Sequence, residues 1–172
     1  MANMIPISTV TVGSGGVANI SFTGIPQTYT DLIVRLSARS TSGGGDCTMI
    51  FNGSTASEYS GKLIYGSGTA VATASNSSQA NMSWGGGAIN RSTTTSNTFA
   101  NTEIYIPNYT SSNYKSVSTD SVEENNAAGA YSEVAASLWS NTAPINQITL
   151  TPSSSGNFVQ YSTATLYGIR KY

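Results

Sequence analysis

Tyr29-Thr-Asp-Leu-Ile-Val-Arg-Leu-Ser-Ala-Arg39 decides the fold. Leu32, Val34, Leu36 and Ala38 alternate with Ile33, Arg35, Ser37 and Arg39, the period of a half-buried β-strand. Leu32, Val34 and Leu36 are expected to face a core while the guanidinium and hydroxyl groups face water or a partner. Pro26 lies just upstream and favours an extended or turning approach. The stretch reads as a central strand of an all-β protein.

Working outward, Ile5–Val12 and Val17–Phe22 flank Gly13-Ser-Gly-Gly16, a hairpin signal because glycine takes φ > 0 freely. Downstream, Ser40–Asp46 reads as a loop and Cys47–Phe51 as a strand closed by the turn dipeptide Asn52-Gly53. Glu58–Tyr65 fits a short helical turn and a weak strand equally. Gly66–Gln79, almost purely Ser, Ala, Thr and Gly, reads as a long surface loop. Asn81–Trp84 reads as a short strand and Asn90–Asn97 as a polar loop. Further strands are expected at Thr102–Ile106, Tyr114–Val122, Tyr131–Trp139, Asn146–Thr151 and Ser162–Tyr172. Nine or ten short strands without a long helix predict an antiparallel two-sheet β-sandwich, jelly-roll-like. Residues 1–172 are expected to form a single domain.

Only 9% of residues are charged and the net charge is -1, against roughly 25% charged in ordinary soluble proteins. Ser, Thr, Asn and Gly make up about half of the chain. Such a surface lacks the basic footprint that nucleic acid demands. It can enter a permanent interface without stripping water from ions. No run approaches the roughly 18 apolar residues of a membrane span. The start, Met1–Ile7, lacks the basic and apolar regions of a secretory signal.

The chain contains no histidine, which removes Ser–His and Cys–His catalysis. Cys47 is the only cysteine and reads as a buried strand thiol. Glu103 and Glu133 are the one strand-borne pair considered for flanking a glycosidic bond, and chance placement is the plainer reading. Glu123-Glu124 beside Asn125-Asn126 offers oxygen ligands for calcium, but a solvated turn explains it as well. The Gly-Gly-Gly runs from Gly43 and Gly85 lack the Lys-Ser/Thr of a phosphate cradle. Asn-X-Ser/Thr patterns at Asn19, Asn52, Asn76, Asn81, Asn90 and Asn108 are expected by chance in this composition. The sequence therefore predicts no catalytic residue, cofactor or metal. Ten tyrosines with Trp84 and Trp139 suit interfaces, sugar-binding surfaces and core packing alike.

Ile25-Pro-Gln-Thr-Tyr-Thr-Asp-Leu32 with Arg35–Arg39 resembles a recurring segment of small structural proteins in tailed, marine-type bacteriophages. Phe51-Asn-Gly-Ser-Thr-Ala-Ser-Glu-Tyr59 is similar to their Phe-Asn-Gly-Asp…Tyr segment, with Ser54 in place of the acid. Ile106-Pro-Asn-Tyr109 to Lys115, Ile145–Leu150, Gly156–Phe158 and Ala164–Ile169 resemble their closing segments. The resemblance runs from about residue 22 to the end. It implies a virion β-sandwich and carries no catalytic residue.

The leading expectation is a capsid decoration (cement) protein, short and complete, seated as a homotrimer on the major capsid protein. It would lie on the virion surface and be assembled in the host cytoplasm. The alternative is a tail-fibre or head-fibre tip that binds a host glycan through aromatic residues and polar loops. A depolymerase is the third and least favoured reading. Met4, Ile5, Pro6 and Ile7 are the candidate interface. They are uncharged and stiffened by Pro6, and they serve as an N-terminal docking arm (residues 1–7) or simply begin the first strand.

Overall fold

The computed structural model describes residues 3–127 and 129–170. It is built from eleven strands: β1 (Asn3–Thr11), β2 (Ile20–Thr23), β3 (Asp31–Ala38), β4 (Cys47–Phe51), β5 (Tyr59–Ser67), β6 (Ala70–Gln79), β7 (Ala100–Ile106), β8 (Lys115–Glu123), β9 (Tyr131–Trp139), β10 (Gln147–Pro152) and β11 (Thr163–Arg170). They form an eight-stranded sheet of order β1-β11-β3-β7-β8-β9-β5-β6 and a three-stranded sheet of order β2-β10-β4. Every strand pairing is antiparallel. The all-β, two-sheet sandwich expected from the alternation is what the chain adopts.

The deciding stretch is β3, third from one edge of the large sheet, between β11 and β7. Leu32, Val34, Leu36 and Ala38 are buried and Arg35 is exposed. The core lies between this face and the small sheet, which contributes Ile20, Phe22, Met49, Phe51, Ile148 and Leu150. Cys47 is free and fully buried there, and burial pushes its thiol pKa up, so it is inert packing.

Three strands cannot cover eight. Beyond β7 the inner face changes character: Thr119, Ser121 and Glu123 of β8 and Glu133 and Ser137 of β9 are buried, while Val122 and Val134 face outward. The segment after β6 covers this region with backbone rather than side chains. Its peptide groups need partners away from water, and the polar inner face supplies them. Thr119 Oγ1 donates to Gly85 O at 3.1 Å, and Ser121 Oγ accepts from Ala88 N at 2.9 Å. Close approach demands the glycines: a Cβ on Gly86 would lie 2.5 Å from Cys47 Sγ, and Gly87 has φ +71°.

Several local expectations are corrected. Gly66–Gln79 is no loop: β5 runs to Ser67, Gly68 turns with φ +57°, and β6 returns along β5. Small residues conceal the alternation, since Ala72, Ala74 and Asn76 are half-buried and Val71, Thr73 and Ser75 exposed. Glu58–Tyr65 resolves as strand from Tyr59 onward. The Gly13–Gly16 turn makes no hairpin, because β1 and β2 belong to different sheets. Gly16 takes φ +65° against Phe158 O, and Val17 bridges Phe158 instead. Asn81–Trp84 is a turn that touches β4 by one bridge, Met49 to Met82. Of the final stretch, Lys171 and Tyr172 lie outside the described residues.

Candidate functional site

The structure separates the two glutamates considered as a catalytic pair. Glu103 projects from β7 on the outer face, where Arg35 Nε donates to its Oε2 at 3.0 Å with both side chains about half exposed. Glu133 projects from β9 on the inner face and is buried. A sugar bond cannot be flanked from opposite faces of one sheet. Glu123 and Glu124 also diverge, as neighbours on a strand end must. Glu123 points inward to Arg91, and Glu124 Oε1 accepts the amides of Asn125 and Asn126 at 3.1 and 2.7 Å. Among the described residues no group of three or more Asp, Glu, Cys or His side chains is placed to hold a metal ion.

Met4, Ile5, Pro6 and Ile7 are not a free arm within the described residues. They lie in β1, where Met4 pairs with Ile169, Ile5 with Gly168 and Pro6 with Tyr167, and the register shifts at Ile7. Ile7 and Val10 pack against the core. The segment takes the second course open to it and begins the first strand in its own subunit. Because β1 is an edge of the large sheet, docking through it would be docking through an edge strand.

The Phe51–Tyr59 motif folds into a structural knot. Asn52 (φ +52°) and Gly53 (φ +68°) make the tight turn. Asn52 Oδ1 accepts from the backbone N–H groups of Asn146 and Gln147 at 2.9 and 3.1 Å. Ser54 Oγ donates to Glu58 Oε1, so the residue that departs from the phage pattern serves as a donor to an acid. Trp139 stacks on Tyr59 at 6.4 Å and meets Phe51 edge-on at 5.4 Å. The largest fully buried side chains, Trp139, Tyr59 and Tyr109, thus belong to packing.

What the sequence did not single out is a cleft of about 280 Å3 on the inner face, beyond the reach of the small sheet. Asp46 reaches it from the end of the β3–β4 loop, Leu63 and Tyr65 from β5, Ala74 from β6, Trp84, Ala88 and Arg91 from the covering segment, Glu123 from β8, and Tyr131 and Glu133 from β9. Arg91 Nη2 donates to Glu123 Oε2 at 3.2 Å, and its guanidinium lies 5.0 Å from the Tyr131 ring centre. A Cβ on Gly45 would meet that guanidinium, the movable end of a long side chain, so the run from Gly43 ends against Arg91. Burial pushes Glu133 up to about 7; the Ser121 hydroxyl opposes this, and the negative charges of Asp46 and Glu123 add to it. Burial likewise raises the pKa of Asp46 and of Glu123, against the lowering effect of Arg91.

The outer face of the same half-sheet carries exposed aliphatic side chains among the hydroxyl groups of Ser116, Ser118, Ser132, Thr73 and Ser75. Ile64 (51% exposed), Val71 (75%) and Val134 (52%) stand there with Val122 and Ala136, and Ile64 is in register with Val134. The charges among them are Lys62 on β5 and Asp120 on β8. Comparison with family models, curated proteins and solved structures finds no match for this chain.

Proposed function

We propose that the chain is a non-enzymatic virion structural protein of a tailed bacteriophage, a capsid decoration protein that binds the capsid lattice as a homotrimer. The observation that carries the assembly reading is the exposed aliphatic cluster of Ile64, Val134 and Ala136 on the outer face of β5 and β9. Exposed aliphatic side chains clustered on one sheet face mark an interaction surface, whereas the other half of the same face carries the Arg35–Glu103 pair. The patch sits toward one edge of the sheet rather than at its centre. A ring of three requires this patch to meet a different surface of the next copy head to tail. The virion setting comes from the sequence resemblance, the homotrimer belongs to the decoration hypothesis itself, and the low charge of the chain agrees with permanent packing.

Sedimentation equilibrium of the purified chain, followed by its addition to decoration-free capsids, tests the reading. A trimer binding in hundreds of copies per particle is expected, and Ile64→Lys with Val134→Lys should yield monomers that bind weakly. A monomeric wild-type chain, or tens of copies at a tail or fibre, would overturn it in favour of the fibre-tip alternative.

A further inference from the structure

We propose that the inner-face cleft between β5, β8, β9 and the covering segment binds a protonated primary amine carried on an alkyl stem. Charge and shape select this occupant. Three carboxyl groups, Asp46, Glu123 and Glu133, line the cleft against the single guanidinium of Arg91. Glu123 supplies an independent sign of a missing donor. Its side chain is fully buried, Oε2 is engaged by Arg91, and Oε1 has no hydrogen-bond partner, while Nε of the same Arg91 is buried without an acceptor. A buried carboxylate oxygen left without a donor is costly. An ammonium group brings three donors and the missing charge together.

The walls fit the rest of such a ligand. Leu63, Ala74 and Ala88 offer apolar surface to a methylene stem. Tyr65 and Tyr131, with ring centres 5.9 Å apart, and Trp84 offer aromatic faces to a cation. A bare metal ion fits less well, because the carboxyl groups surround a cleft and do not converge on one point. The titratable groups around Glu133 are Asp46, Glu123, Arg91, Tyr65 and Tyr131. Of these only Arg91 is cationic, so an arriving ammonium favours the ionised acid. Glu133 titrates near neutrality, and binding just below pH 7 should therefore expel a proton from it.

A lysine side chain of a neighbouring protein and a free alkylamine share this chemistry. The full-length chain would be titrated with n-butylamine, Nα-acetyl-lysine amide, n-butanol and methyl α-glucoside, followed by NMR and by calorimetry in buffers of different ionisation enthalpy. n-Butylamine should shift resonances of Trp84, Tyr65 and Tyr131 and release protons between pH 6 and 7, while n-butanol and the glucoside do neither. Binding of the lysine amide as well assigns the site to a partner's side chain; binding of n-butylamine alone assigns it to a free amine. Glu133→Gln should weaken n-butylamine binding at pH 8 by about tenfold, the scale of one charge-assisted hydrogen bond, and remove most of the proton release. Should that variant fail to fold, proton release by the wild-type chain decides alone. No binding at millimolar n-butylamine, equal binding of n-butanol or the glucoside, or amine binding without proton release would overturn the proposal.

Discussion

Trp139 Nε1 donates to Glu58 Oε1 at 2.7 Å, joining the end of β9 to the residue just before β5. The same carboxylate accepts from Ser54 Oγ and from Asn141 Nδ2 at 3.1 Å. Burial alone would raise its pKa, but these donors outweigh it and hold Glu58 below the usual range. Glu58→Gln replaces one acceptor oxygen with a donor that faces donors. A loss of about 1.5–3 kcal/mol is expected, read as a lower urea midpoint at unchanged slope.

Leu36 is 2% exposed at the centre of β3. Leu36→Ala should cost about 2–5 kcal/mol, because the cavity lies between two sheets that cannot both collapse into it. Equilibrium denaturation checks this, and a cost below 1 kcal/mol would mean that the inner face of β3 is misplaced.

The pattern of β3 was legible because one face meets an apolar sheet and the other meets water. On β8 the same alternation is present but inverted. Thr119, Ser121 and Glu123 go in and Val122 comes out, because the inner neighbour is peptide backbone that needs hydroxyl partners. Nothing in a hydrophobic pattern reports that neighbour. β6 escaped for another reason: Ala, Ser and Thr differ too little in polarity to show a period. The cleft was invisible in the sequence because Asp46 and Arg91 come from loop segments far from the β8–β9 hairpin that carries Glu123 and Glu133, and only the fold brings the three stretches together.

Gly86 packs where a Cβ would lie 2.5 Å from Cys47 Sγ and 2.8 Å from Cys47 O. Both atoms belong to the fully buried first residue of β4, so neither can move aside cheaply. Gly86→Ala should lower the melting temperature markedly, whereas Gly53→Ala, strained only by φ +68° in open space, should cost about 1 kcal/mol. Parallel thermal melts of the two variants compare clash with conformational strain.

Glu133 binds its proton more tightly in the folded chain, with a pKa of about 7 against the ordinary 4.5 of a glutamate. Between those values the unfolded chain has released the proton while the folded chain retains it, so stability falls as pH rises from about 4.5 to 7 and levels off above. The loss attributable to Glu133 is on the order of 2–3 kcal/mol. Glu133→Gln, which keeps a group able to accept from Ser121, should flatten this decline and raise stability at pH 8 relative to wild type. Urea titrations at pH 5 and pH 8 give the four values needed.

The N-terminal strand decides whether edge docking contributes to assembly. Deleting residues 1–6 would strip Asn3 to Pro6 from their pairing with Arg170 to Tyr167 and expose that half of β11 as sheet edge, while Ser8 to Thr11 keep their pairing with Leu166 to Thr163. Such a truncation should lower stability, so any loss of capsid binding would report damage as readily as a missing contact. Met4 offers a cleaner probe: it is 38% exposed, and its backbone pairing with Ile169 does not depend on its side chain. Lysine keeps a long stem and adds a charge, and charge is the usual guard against edge-to-edge pairing. If β1 docks on the capsid, Met4→Lys should leave the unfolding free energy within about 0.5 kcal/mol of wild type, as exposed substitutions do, and reduce capsid binding. Unchanged binding by a stable Met4→Lys protein would remove β1 from the interface and leave the Ile64–Val134 face to make the contact.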